Sequence, residues 1–277
     1  MTRATLAEVL QPALKNRYAV AGLVCLGWED MLAYIRAAEA ENCPVILQAG
    51  PGCREHTPIP ILAKMFLHLA DNTSVPVVAH LDHGYSSEEC REAIDSGFTS
   101  VMYDGSRKPL QQNIDETAAI AEMAHSAGVS AEGEIGFVGY DGGEASDGTD
   151  PQEAERFASE TGVDAMAVSV GNIHLQQDAG QGLDIDRIRE IDSRTTIPLV
   201  IHGGSGVPAR QRTQLAQQTS ICKFNIGTEL RMAFGSALRE AVNRQSDRFD
   251  RLSILKETID PLTVATRSVL RDMRGTN

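Results

Sequence analysis

Apolar and polar positions repeat along the chain as one unit: a short run rich in Val, Ile and Ala, a turn, then a longer stretch with apolar residues at helical spacing. The unit occurs eight times. The predicted strands are Ala19 to Leu26, Pro44 to Ala49, Pro76 to Leu81, Thr99 to Tyr103, Val129 to Ile135, Ala165 to Val170, Pro198 to His202 and Ile221 to Ile226, with helices between them. Pro44, Pro76 and Pro198 open their runs, where the missing N–H is not yet needed by a ladder. Thr5 to Asn16 reads as an opening helix that closes the bottom of whatever the strands build, and Arg248 to Arg274 as a helical segment beyond the eight units. A glycine- and aspartate-rich stretch, Gly139 to Asp150, follows strand five as a mobile loop. Asp150-Pro151 then starts the next helix with an N-cap and a first-turn proline.

Strands alternating with helices pair in parallel through right-handed crossovers, and continuous apolar strands such as Pro44-Val-Ile-Leu are buried on both faces. Eight units favour closure into an α/β (β/α)8 TIM barrel over an open doubly wound sheet, which has no reason to stop at eight. A length of 277 residues suits one such domain spanning 1–277 with extra N- and C-terminal helices.

Composition narrows the partners. A formal charge of −13 repels phosphate backbones and anionic headgroups, so nucleic acid and membranes are not expected partners. There is no apolar run of about 18 residues, and Met1 to Gln11 lacks the basic-then-apolar pattern of a signal peptide, so a cytoplasmic protein is expected. Five scattered cysteines, none at metal-knuckle or redox spacing, read as reduced.

Catalytic groups of such barrels sit at the C-terminal ends of strands, which separates the histidines by position. His56, His68 and His125 fall on predicted helices. His83, His174 and His202 follow or end strands three, six and seven, and three imidazoles at one rim suit a catalytic divalent metal with an open position. His80 is taken as packed or supporting. Asp82 beside His83 is either an orienter of a histidine or a general acid/base. Both side chains reach one pocket only if the chain turns there, and Gly84 is the expected hinge. Glu132 and Glu134 share one face of strand five, and together with Asp104 they are candidates for a second metal position. Gly203-Gly204-Ser205-Gly206 and Asn225-Ile-Gly-Thr228 follow strands seven and eight, the usual phosphate loops of these barrels; plain turn chemistry is the simpler reading.

The chain resembles the class II, metal-dependent fructose- and tagatose-bisphosphate aldolases. The likeness rests on Pro44-Val-Ile-Leu-Gln48, His80-Leu-Asp-His-Gly84, Ser100-Val-Met-Tyr-Asp-Gly-Ser106, Glu132-Gly-Glu134, Thr149-Asp-Pro151, Gly162-Val-Asp-Ala, Pro198-Leu-Val-Ile-His-Gly-Gly-Ser-Gly206 and Asn225-Ile-Gly-Thr-Glu-Leu-Arg231. It implies reversible aldol cleavage of a ketose (bis)phosphate or related sugar-derived substrate through a metal-stabilised enediolate. Asp82 would be the proton donor, His83, His174 and His202 the zinc ligands, and Asp104 and Glu134 neighbours of an alternative metal position. Gly203, Ser205, Asn225 and Thr228 would contact the phosphorylated donor. A monovalent cation and a homodimer or homotetramer are further implications.

Departures from the family's pattern accompany the match. After the second metal histidine the family has glycine and, three residues on, lysine; here stand Leu175 and Asp178. Its early Phe-Asn and following Asn are Leu23-Val24 and Gly27, and a serine is replaced by Gly50. The family's mobile glutamate base has only Glu144 and Asp141 as stand-ins. The metal-enolate chemistry is therefore expected with an altered substrate, either less phosphorylated or an acidic keto compound. Three other readings compete. A Schiff-base aldolase would use Lys223, which is read as structural because the histidines would then lack a purpose. A metal-dependent hydrolase would draw a histidine pair from strand one, which has none. A non-catalytic sugar-phosphate-binding subunit would not need Asp82 and all three histidines.

Overall fold

The structure is a computed structural model that describes residues 2–139, 142, 146, 148–175, 182–244 and 247–275. Its eight strands are β1 (Val20–Val24), β2 (Val45–Ala49), β3 (Val77–Gly84), β4 (Ser100–Tyr103), β5 (Ser130–Ile135), β6 (Ala165–Val168), β7 (Leu199–Ile201) and β8 (Ile221–Ile226). Each pairs in parallel with the next, and β8 pairs with β1, so the sheet closes into a barrel in chain order. All eight predicted strands are present, most of them slightly shorter than the apolar run. β8 coincides with its run, and β3 continues past Leu81 to Gly84 and carries Asp82 and His83 within the sheet.

The bottom of the barrel is sealed as the N-terminal pattern predicts. Thr5 and Glu8 form a reciprocal capping box on α1 (Leu6–Asn16): Glu8 N–H donates to Thr5 Oγ1 (3.3 Å) and Thr5 N–H to Glu8 Oε2 (2.8 Å). Leu6, Val9, Leu10 and Ala13 of this helix then pack with Val20, Ile46, Val78, Ala165, Ala167 and Val200 of the strands. Outside the strands, α2 (Trp28–Glu41), α4 (Ile59–Asp71), α6 (Leu110–Ser126) and α7 (Pro151–Thr161) contribute to the larger apolar shell. Asp150 caps α7 as expected, accepting from Gln152 N–H (2.9 Å) and Glu153 N–H (3.0 Å).

The C-terminal segment forms α11 (Arg251–Arg274), begun by Asp250 rather than at Arg248. It lies against α2 and α10 (Thr228–Arg244). The Glu41 carboxylate fastens it, accepting from Arg267 Nε (2.6 Å) and Arg271 Nε (2.9 Å). All five cysteines are buried and unpaired. Among the described residues no helix is long and apolar enough to cross a membrane.

Candidate metal centre and substrate cavity

The site begins with an irregularity in β3. Its pairing register with β4 shifts between Leu81 and Gly84, and His83 adopts a left-handed backbone, φ 52°. A side chain in that region costs about 1–2 kcal/mol, so the surroundings must hold it there. The result is that Asp82 and His83, adjacent on a strand, both line the same cavity. The expected hinge was Gly84, yet the turn falls on His83 itself. Gly84 is needed for a different reason: a Cβ there would stand 2.8 Å from the Met102 carbonyl oxygen and 2.9 Å from Cys90 Sγ.

His174 and His202 arrive from the opposite side. His202 directly follows β7 and is fully buried; His174 lies six residues beyond the end of β6, its N–H held by the Gly139 carbonyl (2.8 Å). Asn172 ties the two segments together, donating from Nδ2 to the His202 carbonyl (3.0 Å) while its Oδ1 accepts from Val170 N–H (2.7 Å). Gly203 permits this closeness, because a Cβ there would lie 2.2 Å from the Ile173 carbonyl oxygen. Neither residue's packing role is legible from the sequence motif. The three rings converge: centroids are 5.3 Å apart for His83 and His174, 4.6 Å for His83 and His202, and 5.7 Å for His174 and His202. One nitrogen from each falls within 4.8 Å of the others, and His83, Asp104 and Glu134 form a second such trio. The helix-borne His56, His68 and His125 belong to neither.

Carboxylates crowd this centre. Asp104 Oδ2 lies 2.8 Å from His83 Nδ1, and its Oδ1 accepts from Ser106 Oγ (2.7 Å) and N–H (3.1 Å). Glu132 accepts from His202 Nε2 (3.2 Å) and from Lys223 Nζ (2.7 Å), all three fully buried. Glu134 Oε2 sits 2.9 Å from His202 Nδ1, but not in hydrogen-bonding geometry, so both atoms are buried without a partner. Asp82, Asp104, Glu132 and Glu134 thus gather around the imidazoles, with Lys223 paired to Glu132. Such an excess of buried negative charge calls for a cation or for protonated imidazole.

The proton affinities reflect that imbalance. Burial pushes His202 down, but Glu134 and Glu132 outweigh it and raise its pKa to about 10. His83 is likewise raised, by Asp82 and Asp104 against burial. His174, buried and beside the other two rings, is held down to about 3 and stays neutral. Burial alone would raise Asp82, yet His83 and His202 keep its carboxyl below its ordinary value. Burial and Lys223 hold His80 down to about 3, with its Nδ1 2.8 Å from Ser100 Oγ, so it is a packed neutral residue.

Two cavities meet at His83 and His174. One, of about 280 Å³, is lined by Asp82, Gly50, Val24 and all four residues predicted for the phosphorylated donor: Gly203, Ser205, Asn225 and Thr228. Asn225 Nδ2 donates to Asp82 Oδ1 (3.2 Å), and Ser205 Oγ accepts from Gly227 N–H (3.2 Å) and Glu229 N–H (3.3 Å) at the start of α10. Arg231, one turn into α10, also lines it and was not singled out from sequence. The other cavity, about 410 Å³, is lined by Asp104, Glu134, Arg107 and Phe137. Lys223 lines neither, in keeping with a structural role.

A family model described as "Fructose-bisphosphate aldolase class-II" matches residues 4–277. The chain belongs to this family. The fructose-bisphosphate aldolase of Staphylococcus epidermidis is 34% identical over 286 residues, covering 100% of this chain and 99% of that protein. That of Geobacillus stearothermophilus is 35% identical over 279 residues, covering 98% and 97%. Among solved structures, the YdjI aldolase from Escherichia coli K12 superposes with a TM-score of 0.85 at 28% identity, covering 98% of this chain and 97% of that one.

As a class II aldolase the chain is a metal-dependent lyase on a TIM barrel. Its departures from the family pattern are visible in part. Leu175 is half exposed at the cavity mouth in a left-handed conformation (φ 61°), and a Cβ added at Gly50 would press on Asp82 Oδ2 at 3.3 Å. Asp178, Asp141 and Glu144 lie outside the described residues.

Proposed function

We propose that this aldolase cleaves and forms the bond of a ketose phosphate at the His83, His174, His202 centre, with zinc as the bound ion. The observation that carries the reading is the convergence of the three imidazoles, with buried His202 Nδ1 and Glu134 Oε2 beside them, 2.9 Å apart and without a hydrogen bond. His83, Asp104 and Glu134 offer a second position for the ion. Bound there, a divalent cation supplies Lewis-acid polarisation of the substrate ketone. Asp82, ionised and steadied by Asn225, takes the proton from the hydroxyl one bond beyond in cleavage and returns it in condensation. The Gly203, Ser205, Asn225 and Thr228 wall, at the N-terminus of α10, receives the phosphorylated donor half, with Arg231 as its cation.

The relatives' shared name supports a sugar phosphate as substrate. Exposed Phe249, Leu252 and Val264 near and on α11 support assembly as a homodimer or homotetramer through the C-terminal helices. A cytoplasmic setting agrees with five unpaired cysteines.

Metal analysis of the purified protein, followed by a retro-aldol assay coupled to a dehydrogenase, tests this reading. The panel is phosphorylated and unphosphorylated ketoses and 2-oxo acids. About one divalent ion per chain, with aldehyde release that His202→Ala abolishes together with metal content, is the expected result. Full metal content and turnover in His202→Ala sinks the proposal, and a metal-free, inactive wild type favours a binding subunit.

A further inference from the structure

Arg54 lies in α3 (Pro51–His56), just after β2, with a side chain only 5% exposed. Every arm of its guanidinium is engaged. Nη1 donates to the carbonyls of Ala49 (2.6 Å) and Asp82 (2.6 Å), Nη2 to that of His83 (3.0 Å), and Nε to Glu89 Oε1 (2.8 Å). Glu89, in α5 (Ser87–Ser96), uses its other oxygen to accept the Tyr85 N–H (2.9 Å). One side chain therefore joins the end of β2, the end of β3 and the following helix.

The carbonyls it holds belong to the segment where the β3 register slips and His83 turns left-handed. Backbone oxygens displaced from a buried ladder need another donor, and a strained conformation persists only where its surroundings fix it. We propose that Arg54 is a positioning residue for the metal centre: it clips the Asp82–His83 kink so that the proton-transferring carboxylate and one imidazole ligand face the same cavity. The planar fork matters as much as the charge. A lysine at this position brings a single nitrogen, which cannot span three carbonyls and a carboxylate. This inference rests on the metal-centre reading above.

Arg54→Lys, Arg54→Ala and Glu89→Gln are compared with wild type. The readouts are metal dissociation constant by chelator competition, kcat and KM, and cooperativity of thermal unfolding. Loss of a group that orients a metal ligand weakens metal binding about 10–100-fold. Arg54→Ala is expected in that range, with kcat falling and KM for the ketose phosphate changing less. Arg54→Lys should restore little, and Glu89→Gln should show a smaller loss of the same kind. If Arg54→Ala does not fold, Arg54→Lys and Glu89→Gln decide. Folded variants with metal affinity and kcat within twofold of wild type overturn the clip while leaving the metal centre standing. A wild type that binds no divalent ion overturns both.

Discussion

Replacing Lys223 with methionine probes the charge balance beneath the metal centre. The Lys223 ammonium is 2.7 Å from Glu132 Oε2, and neither side chain reaches solvent. Methionine keeps the length and apolar stem but takes the ammonium from Glu132 Oε2, leaving His80 Nε2 at 3.8 Å on that oxygen and the His202 ring at 3.2 Å on the other. Breaking a buried ion pair from one side costs about 3–5 kcal/mol, a large share of the roughly 5–15 kcal/mol that stabilises a whole domain. At about 2–4 °C per kcal/mol, the midpoint of unfolding should drop by roughly 10 °C. Differential scanning calorimetry at neutral pH measures the loss. A double variant, Lys223→Met with Glu132→Gln, removes the stranded charge and keeps a carbonyl acceptor for His202, so it should recover more than half of it. A single variant within about 1 kcal/mol of wild type, or a double variant no more stable than the single one, refutes the reasoning.

Three further outcomes are expected. Gly84→Ala should destabilise by about 1–3 kcal/mol, since its Cβ meets the Met102 carbonyl and Cys90 Sγ; denaturant titration showing no shift in midpoint would contradict this. Glu41, paired with Arg271 and Arg267, has a folded pKa below its ordinary 4.5, so its stabilisation is present above that pH and is lost as pH falls through the folded value. Glu41→Gln should therefore show a shallower decline of melting temperature below pH 4.5, and a decline as steep as wild type would exclude the linkage. Arg231→Ala should raise KM for a phosphorylated ketose about tenfold or more, the scale of one charge-assisted hydrogen bond, with a smaller change in kcat. An equal rise for the unphosphorylated analogue would place Arg231 outside anion recognition.

The periodic pattern reveals the barrel because most strands are short apolar runs and each helix between them carries one buried face, signals that extend over many residues. The histidine trio is legible for a related reason: topology fixes where strand ends lie, so three histidines at such ends share a rim. What escapes is local. A left-handed turn at His83 depends on a single backbone torsion, and the pattern points to Gly84, the residue type that most often allows it. Arg54, Asn172 and Lys223 act through carbonyls or carboxylates contributed by distant segments, and no spacing in the chain marks those pairings. The family resemblance makes Gly203 a contact of the phosphorylated donor, and the residue lines the cavity. Its lack of a side chain also answers to the Ile173 carbonyl, which only three dimensions reveal.

The distribution of side chains around the mouth has its own consequence. Acidic groups and imidazoles come from the arc running from β3 to β7, whereas Val24 at the end of β1 and Gly50 just after β2, small and uncharged, lie against the same hollow. The metal-binding side chains and these uncharged strand ends therefore occupy different sectors of one ring. Enlarging Val24 would narrow the hollow from a strand end that bears no metal ligand, whereas a side chain at Gly50 would come 3.3 Å from Asp82 Oδ2 and disturb the carboxylate as well as the fit.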